Sequence, residues 1–190
     1  MKKVLVFLAD GFEEIEALTP VDYLRRAGAE VTVAATGKAQ RQTEGAHGIN
    51  VTADITLDAW LDANAGQLPD AVVVPGGMPG TKNIAACTKA LSIITAMEKE
   101  KRLICAICAA PALVLSKTDA LNGKKWTCYP GMQDNAEPFL SGYTDKAFVK
   151  DGNLITGRGP GAAEEFSMEI VRTLFGEETA RKIKEASVQR

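Results

Sequence analysis

Apolar residues along this chain fall into two alternating patterns: short continuous runs, and longer stretches in which apolar positions recur at helical spacing. Lys3 to Ala9 is a run of the first kind and predicts a strand. Glu13 to Ala27 follows with helical spacing, and Glu30 to Ala35 predicts the next strand. Asn50 to Thr52 reads as a short strand paired near Gln42, and Thr56 to Ala63 as a short helix. Asp70 to Val74 is a buried strand ending in Pro75, Gly76 and Gly77, and Leu91 to Lys101 is a helix. Leu103 to Ile107 is strand-like, Ala110 to Lys117 helical, and Lys125 to Cys128 a further short strand. Ala147 to Lys150 and Asn153 to Thr156 flank Asp151-Gly152, a type I′ hairpin signal. Gly161 to Phe175 and Glu177 to Ser187 are helices. Continuous apolar strands alternating with helices predict an α/β fold: a mostly parallel sheet with helices on both faces. No linker, repeat or low-complexity stretch divides residues 1–190, which read as a single domain.

Composition narrows the classes of function. The chain is 46% hydrophobic and 24% charged with a net charge of −2, and it carries no basic run beyond two residues, which argues against nucleic acid as the main partner. No run reaches the ~18 apolar residues of a membrane span. The opening Met1-Lys2-Lys3 and the apolar run after it resemble the start of a signal peptide. However, the run is short, Asp10 ends it, and no cleavage-type site follows. The expected location is therefore the cytoplasm, with Cys87, Cys105, Cys108 and Cys128 reduced.

The segment richest in chemistry is Ala106 to Pro111. A buried strand stops at Cys108, and Ala109, Ala110 and Pro111 lead straight into a helix. A residue at such a turn is presented at the strand's carboxyl end beside unpaired helix N–H groups. A thiol there is a candidate nucleophile, with its thiolate favoured by the helix dipole; the alternative is an inert cysteine at a strand end. Ligands in such sheets bind outside the carboxyl ends of the strands. Asp10 to Glu16, Pro75 to Gly80 and the Cys108 turn are the loops expected to converge there.

Glu16 lies among Ile15, Ala17, Leu18 and Pro20, so it is expected to face inward. A buried carboxyl has a raised pKa, and as a neutral acid it donates a hydrogen bond to a thiolate or relays a proton. Glu13 and Glu14 read simply as charges favoured at a helix start. Gly76 and Gly77 allow close backbone approach, and their N–H groups with that of Ala109 would form an oxyanion hole. Cys105 and Cys108 spell C-x-x-C. Extended residues at that spacing sit ~10 Å apart, out of disulfide reach, and no second Cys/His pair completes a zinc site. Cys105 is thus expected in the core and no metal is expected. Cys128 either packs or approaches the site. His47, the only histidine, lies in a glycine-flanked loop and reads as a surface residue, so a Cys-His dyad is hard to build. Arg158 is a candidate anion clamp, Arg26 either that or a helix C-terminal charge, and Trp60 and Trp126 are packing residues.

Taken together, Asp10 to Glu16, Pro75 to Gly77, Ala106 to Pro111 and Arg158 to Gly161 resemble the ThiJ/PfpI superfamily, most closely its deglycase (DJ-one) and YajL-like branch, over nearly the whole chain. The resemblance implies a flavodoxin-like sandwich, a homodimer built by the first helix and nearby loops, and no cofactor. It implies that Cys108 is the oxidation-prone nucleophile, that Glu16 is the protonated carboxyl beside it, and that Gly77 and Ala109 supply N–H groups. It places Gly76, Arg26 and Arg158 at the substrate or anion site. One departure stands out: Tyr129 occupies the place where that branch carries a histidine, which leaves base chemistry to Glu16, because a phenol is a poor base near neutral pH. Ala109 stands where the protease branch has histidine, so proteolysis is not expected. The implied activity is glyoxalase- or deglycase-like, on reactive dicarbonyls such as methylglyoxal or on their glycated adducts. The alternatives are a redox sensor of oxidative stress with little turnover, or a chaperone.

Overall fold

A computed structural model describes residues 1–189. The strands are β1 (Lys3–Leu8), β2 (Glu30–Ala35), β3 (Gln42–Glu44), β4 (Asn50–Thr52), β5 (Ile55–Thr56), β6 (Ala71–Val74), β7 (Leu103–Ile107), β8 (Phe148–Asp151) and β9 (Leu154–Gly157). The helices are α1 (Glu14–Arg26), α2 (Leu57–Asn64), α3 (Gly80–Ala86), α4 (Thr88–Lys99), α5 (Ala110–Leu113), α6 (Ala163–Phe175) and α7 (Glu177–Ala186). Seven strands form one sheet in the order β5-β2-β1-β6-β7-β9-β8, and β3 and β4 form a separate antiparallel pair. Every neighbouring pair in the large sheet is parallel except β8 with β9.

The alternation of side chains along a strand builds a core on each face. Val4, Val6 and Leu8 of β1 pack with Ala17, Val21 and Leu24 of α1 and with Phe166 and Ile170 of α6. Leu5, Phe7 and Ala9 face the other way, onto Leu57, Trp60, Ile84 and Ile94 of the helices opposite. Strands buried on both faces must be apolar throughout, which is why they read as continuous runs rather than alternating ones. From β1 the chain goes first to β2 on one side and later to β6 on the other. The crevice between β1 and β6, at the carboxyl ends of the strands, is therefore the topological switch point of the sheet.

The fold departs from the sequence reading in several places. Lys125–Cys128 forms no strand; only an isolated bridge from Trp126 to Tyr143 remains, and Thr127 N–H donates to the Thr156 hydroxyl rather than to a neighbouring backbone. Asp151 pairs with Leu154, so the hairpin loop is Gly152-Asn153, one residue later than expected. Gly152 alone of the two has positive φ (58°), the signature of a II′ rather than a I′ turn. α3 was not expected at all, α4 begins earlier than Leu91, and α5 gives way to 3₁₀ turns at Leu115–Lys117. No described helix is long and apolar enough to cross a membrane.

Candidate active site

Cys108 closes β7 with φ of +63°, a left-handed conformation that costs any residue with a Cβ. Parallel pairing holds it there: Cys108 N–H donates to Gly157 O (2.9 Å) and its carbonyl accepts from Tyr129 N–H (2.8 Å). The thiol therefore projects from a strained elbow, 9% exposed, at the switch-point crevice.

Glu16 comes from the first turn of α1 and is fully buried. The start of α1 is tied to the glycine loop by Glu13 N–H donating to Gly76 O (3.0 Å), and Gly76 N–H donates to Glu16 Oε2 (2.9 Å). The carboxyl and the Cys108 thiol lie close enough to shift each other's ionisation, and the N–H groups of Ala109 and Gly77 lie close enough to the sulfur to favour its thiolate. Only glycine fits at position 76: a Cβ there would lie 2.5 Å from both Cys108 Cβ and Glu16 Oε2. Gly77 has φ of +91°, and a Cβ on it would run into Glu13 N. Gly76 thus ties the glycine loop to Glu16 through its N–H.

Burial pushes the Glu16 carboxyl up to about 8, against the pull of its contacts with Cys108 and Gly76. Burial also pushes the Cys108 thiol up to about 12, and a Glu16 carboxylate beside it adds to the rise, while the Ala109 and Gly77 N–H groups oppose it. The helix dipole expected to favour the thiolate is weak here, because α5 has only 4 residues, and desolvation outweighs it. The two groups instead form a coupled pair. At neutral pH it holds both protons. The first to be lost is the carboxyl's, and a thiolate then forms as the remaining proton moves from Cys108 to Glu16. Glu16 Oε1 is buried without a hydrogen-bond partner, although a buried polar atom is normally satisfied.

Arg158 and Tyr129 border the same region and line one cavity of about 580 Å³. Arg158 Nη1 pairs with Asp145 at 3.3 Å. Arg26 does not join them. It is the last residue of α1, ~15 Å along the helix from Glu16 at 1.5 Å per residue, and it is paired with Asp22 at 2.7 Å. Within one protomer it therefore lies away from Cys108. Cys105 is buried in the core of one face and Cys128 in that of the other, and all four cysteines are free. Burial pushes the Cys128 thiol up to about 12, and it packs in the core on the other side of the sheet from Cys108. His47 lies away from the sulfur, where its backbone N–H and Nδ1 both bond the Glu14 carboxylate at 2.8 Å. Sequence gave no warning of that clasp, because it joins residues 33 positions apart.

A strained cysteine elbow at the switch point of a parallel sheet, held against a buried carboxyl with no imidazole beside it among the described residues, defines a class of α/β proteins. The chain belongs to the DJ-1/PfpI family, whose profile matches residues 2–173. It is 39% identical to protein dj-1beta of Drosophila melanogaster over 184 residues, covering 96% of this chain and 94% of that protein. It is 31% identical to a protein of Pyrococcus abyssi named as a deglycase, over 90% of this chain and 99% of that one. The solved structure of oxidized Toxoplasma gondii DJ-1 superposes with a TM-score of 0.90 at 32% identity, covering 99% of this chain and 98% of that one. The chain spans only 42% of the length of another relative, DJ-1 homolog B of Arabidopsis thaliana, with 36% identity.

Proposed function

We propose that this protein is a cofactor-independent cysteine enzyme that converts reactive dicarbonyls, or the early adducts they form, to hydroxy acids. The observation that carries this reading is the pairing of Cys108, strained at positive φ, with the buried carboxyl of Glu16. The working form is the singly protonated pair. The Cys108 thiolate attacks the aldehyde carbon of methylglyoxal, and the Glu16 proton passes to the aldehyde oxygen, giving a hemithioacetal. The N–H groups of Gly77 and Ala109 stabilise negative charge as it develops. Glu16, now a carboxylate, takes the proton from C1 as electrons move to the ketone, and hands it to the ketone oxygen, giving an enediol. It then takes the proton of the C1 hydroxyl and delivers it to C2 as the C1 carbonyl forms, which gives a lactoyl thioester on Cys108. Water hydrolyses it, releasing lactate and regenerating the pair. The sum is methylglyoxal plus water to lactate, with no net redox change. The relative named as a deglycase supports the same class of chemistry.

The test is lactate formation from methylglyoxal without glutathione, by wild type and by Cys108→Ser. Turnover that vanishes in the variant supports the reading; turnover that survives it refutes it. A second reading, redox sensing at Cys108, is favoured by the convergence of the Gly77 and Ala109 N–H groups on the sulfur, where they would also hold an added oxygen. It requires stoichiometric peroxide uptake at Cys108 with negligible dicarbonyl turnover. Cytoplasmic placement and a homodimer belong to the same proposal, the dimer supported by exposed Ile15 and Leu18 on α1 and Ile49 beside β4.

A further inference from the structure

The first turn of α1, which carries Glu16, has no cap of its own. Glu13 occupies the N-cap position and, among the described residues, its side chain bonds no backbone N–H of the turn. A helix start without a cap leaves its leading N–H groups unpartnered and frays readily. Glu16 is nonetheless fully buried, with Gly76 N–H donating to it at 2.9 Å. Part of the grip on this turn comes from outside the helix, from the connection between β3 and β4.

That connection runs alongside residues 11–14. Gly11 N–H donates to Glu44 O (2.7 Å), Phe12 and Gly45 form a parallel bridge, and Ala46 N–H donates to Phe12 O (2.8 Å). The pairing ends on the buried Glu14 side chain, which accepts from the backbone N–H of His47 and from its Nδ1, both at 2.8 Å. A buried carboxylate is costly unless it is hydrogen-bonded, so Glu14 and the loop hold one another in place. Gly45 makes this possible, because a Cβ there would collide with Glu14 Oε1. Residues two apart on a helix lie on nearly opposite sides of it. The turn is therefore held on one side by His47 through Glu14. On the other side Gly76 holds it, bonding both Glu16 and the Glu13 N–H (3.0 Å).

We propose that Glu14 and His47 are positioning residues: their clasp fixes the uncapped first turn of α1, and with it the Glu16 carboxyl beside Cys108. They act through Glu16 rather than on the substrate. The proposal deepens the dicarbonyl reading, because a proton relay depends on where its carboxyl sits, and a misplacement of about 1 Å costs roughly a hundredfold in rate. The His47 side chain is 66% exposed, so removing its ring opens the clasp without emptying the core.

The test follows Glu16 itself, by carbon-13 NMR titration of the glutamate carboxyls, with its signal assigned by its absence from Glu16→Gln. Methylglyoxal kcat and KM are measured on the same variants. The wild-type carboxyl should titrate at about 8. In Glu14→Ala the loosened carboxyl gains water, so its titration should fall by about one pH unit or more, and kcat by about tenfold to a hundredfold with KM little changed. His47→Ala, which keeps the backbone bond to Glu14, should do the same to a smaller extent, and it decides alone if Glu14→Ala does not fold. Glu14→Gln should retain most of both properties, because its amide oxygen accepts from His47 N–H and its amide N–H donates to the neutral Nδ1. Thr56→Ala removes the side-chain cap of α2, away from the site, and should move neither. A Glu16 titration unmoved by Glu14→Ala and His47→Ala, Glu14→Gln as damaging as Glu14→Ala, or an equal effect of Thr56→Ala would overturn the proposal. A titration that moves as stated in a protein that turns over no dicarbonyl would sustain the positioning role and overturn the enzyme reading.

Discussion

Replacing Glu16 with Gln keeps the shape of the buried side chain and the acceptor for Gly76 N–H, but removes the ionisable group. Burial pushes the carboxyl in the folded wild type up to about 8, from an ordinary value of 4.5. A carboxyl raised in the folded state stabilises it most in acid, below the unfolded pKa, and that contribution is lost as pH rises through the folded pKa. Between pH 5 and 7.5 the unfolded chain has released this proton while the folded protein still holds it. Wild-type stability should then fall by about 1.4 kcal/mol per pH unit on account of Glu16 alone. Glu16→Gln lacks this dependence, so its advantage should grow from near zero at pH 4 to about 3 kcal/mol at pH 7, or roughly 6–12 °C in Tm. The pH-independent costs of the substitution cancel in the slope. Other groups titrate in both proteins and cancel too. Burial opposes the ionisation of Asp10, Glu14, Asp70 and Glu98, but hydrogen bonds outweigh it and lower all four, so they lose stabilisation in acid. His47, raised by its bond to Glu14, loses stabilisation above its unfolded value. The assay is urea unfolding followed by fluorescence of the fully buried Trp126, at half-unit steps from pH 4.5 to 7.5. Parallel stability curves for the two proteins would refute the assignment of a neutral, buried Glu16.

Three further outcomes follow from the same geometry. Cys108→Gly should be more stable than Cys108→Ala by about 1 kcal/mol, because glycine adopts φ of +63° without strain; denaturant titration of the two variants checks it. Gly76→Ala should abolish turnover and cost about 1–3 kcal/mol in stability, since its Cβ would wedge apart Cys108 and Glu16; lactate assays and urea unfolding measure both. The kcat/KM for methylglyoxal should rise about tenfold per pH unit below about 8 and level off above it, as the pair loses its first proton. A flat profile from pH 6 to 8 would exclude the singly protonated pair as the reactive form.

Much of the architecture was legible because burial on both faces leaves no polar residues to blur a strand, and β1, β2, β6 and β7 appear in sequence as bare apolar runs. The elbow was legible for a related reason: an apolar run ending in Cys108 and small residues before Pro111 admits a sharp turn into a helix. Trp126 and Thr127 misled because their apolar and β-branched character serves a packed loop, with the Trp126 indole donating to Phe139 O and the Thr127 N–H bonded to the Thr156 hydroxyl rather than to a neighbouring strand. α3 starts at a glycine with no side-chain cap, so neither its start nor its periodicity stood out. In the site, Glu16 was readable from its apolar neighbours, whereas the placement of Arg26 was not: its distance from the sulfur depends on which end of α1 meets the crevice. The high Cys108 thiol was also hidden, because it arises from desolvation and from a carboxylate 92 positions away in sequence.

The central claim is that the Cys108 sulfur is the group that attacks the dicarbonyl. It is tested most directly by partial alkylation of the wild-type protein with iodoacetamide, with peptide mass spectrometry reporting the modified fraction at each cysteine and lactate formation measured on the same samples. Activity should fall in direct proportion to the unmodified fraction of Cys108, reach zero when that residue is fully alkylated, and be indifferent to modification of the partly exposed Cys87. Lactate formation that persists with Cys108 fully alkylated would contradict the account.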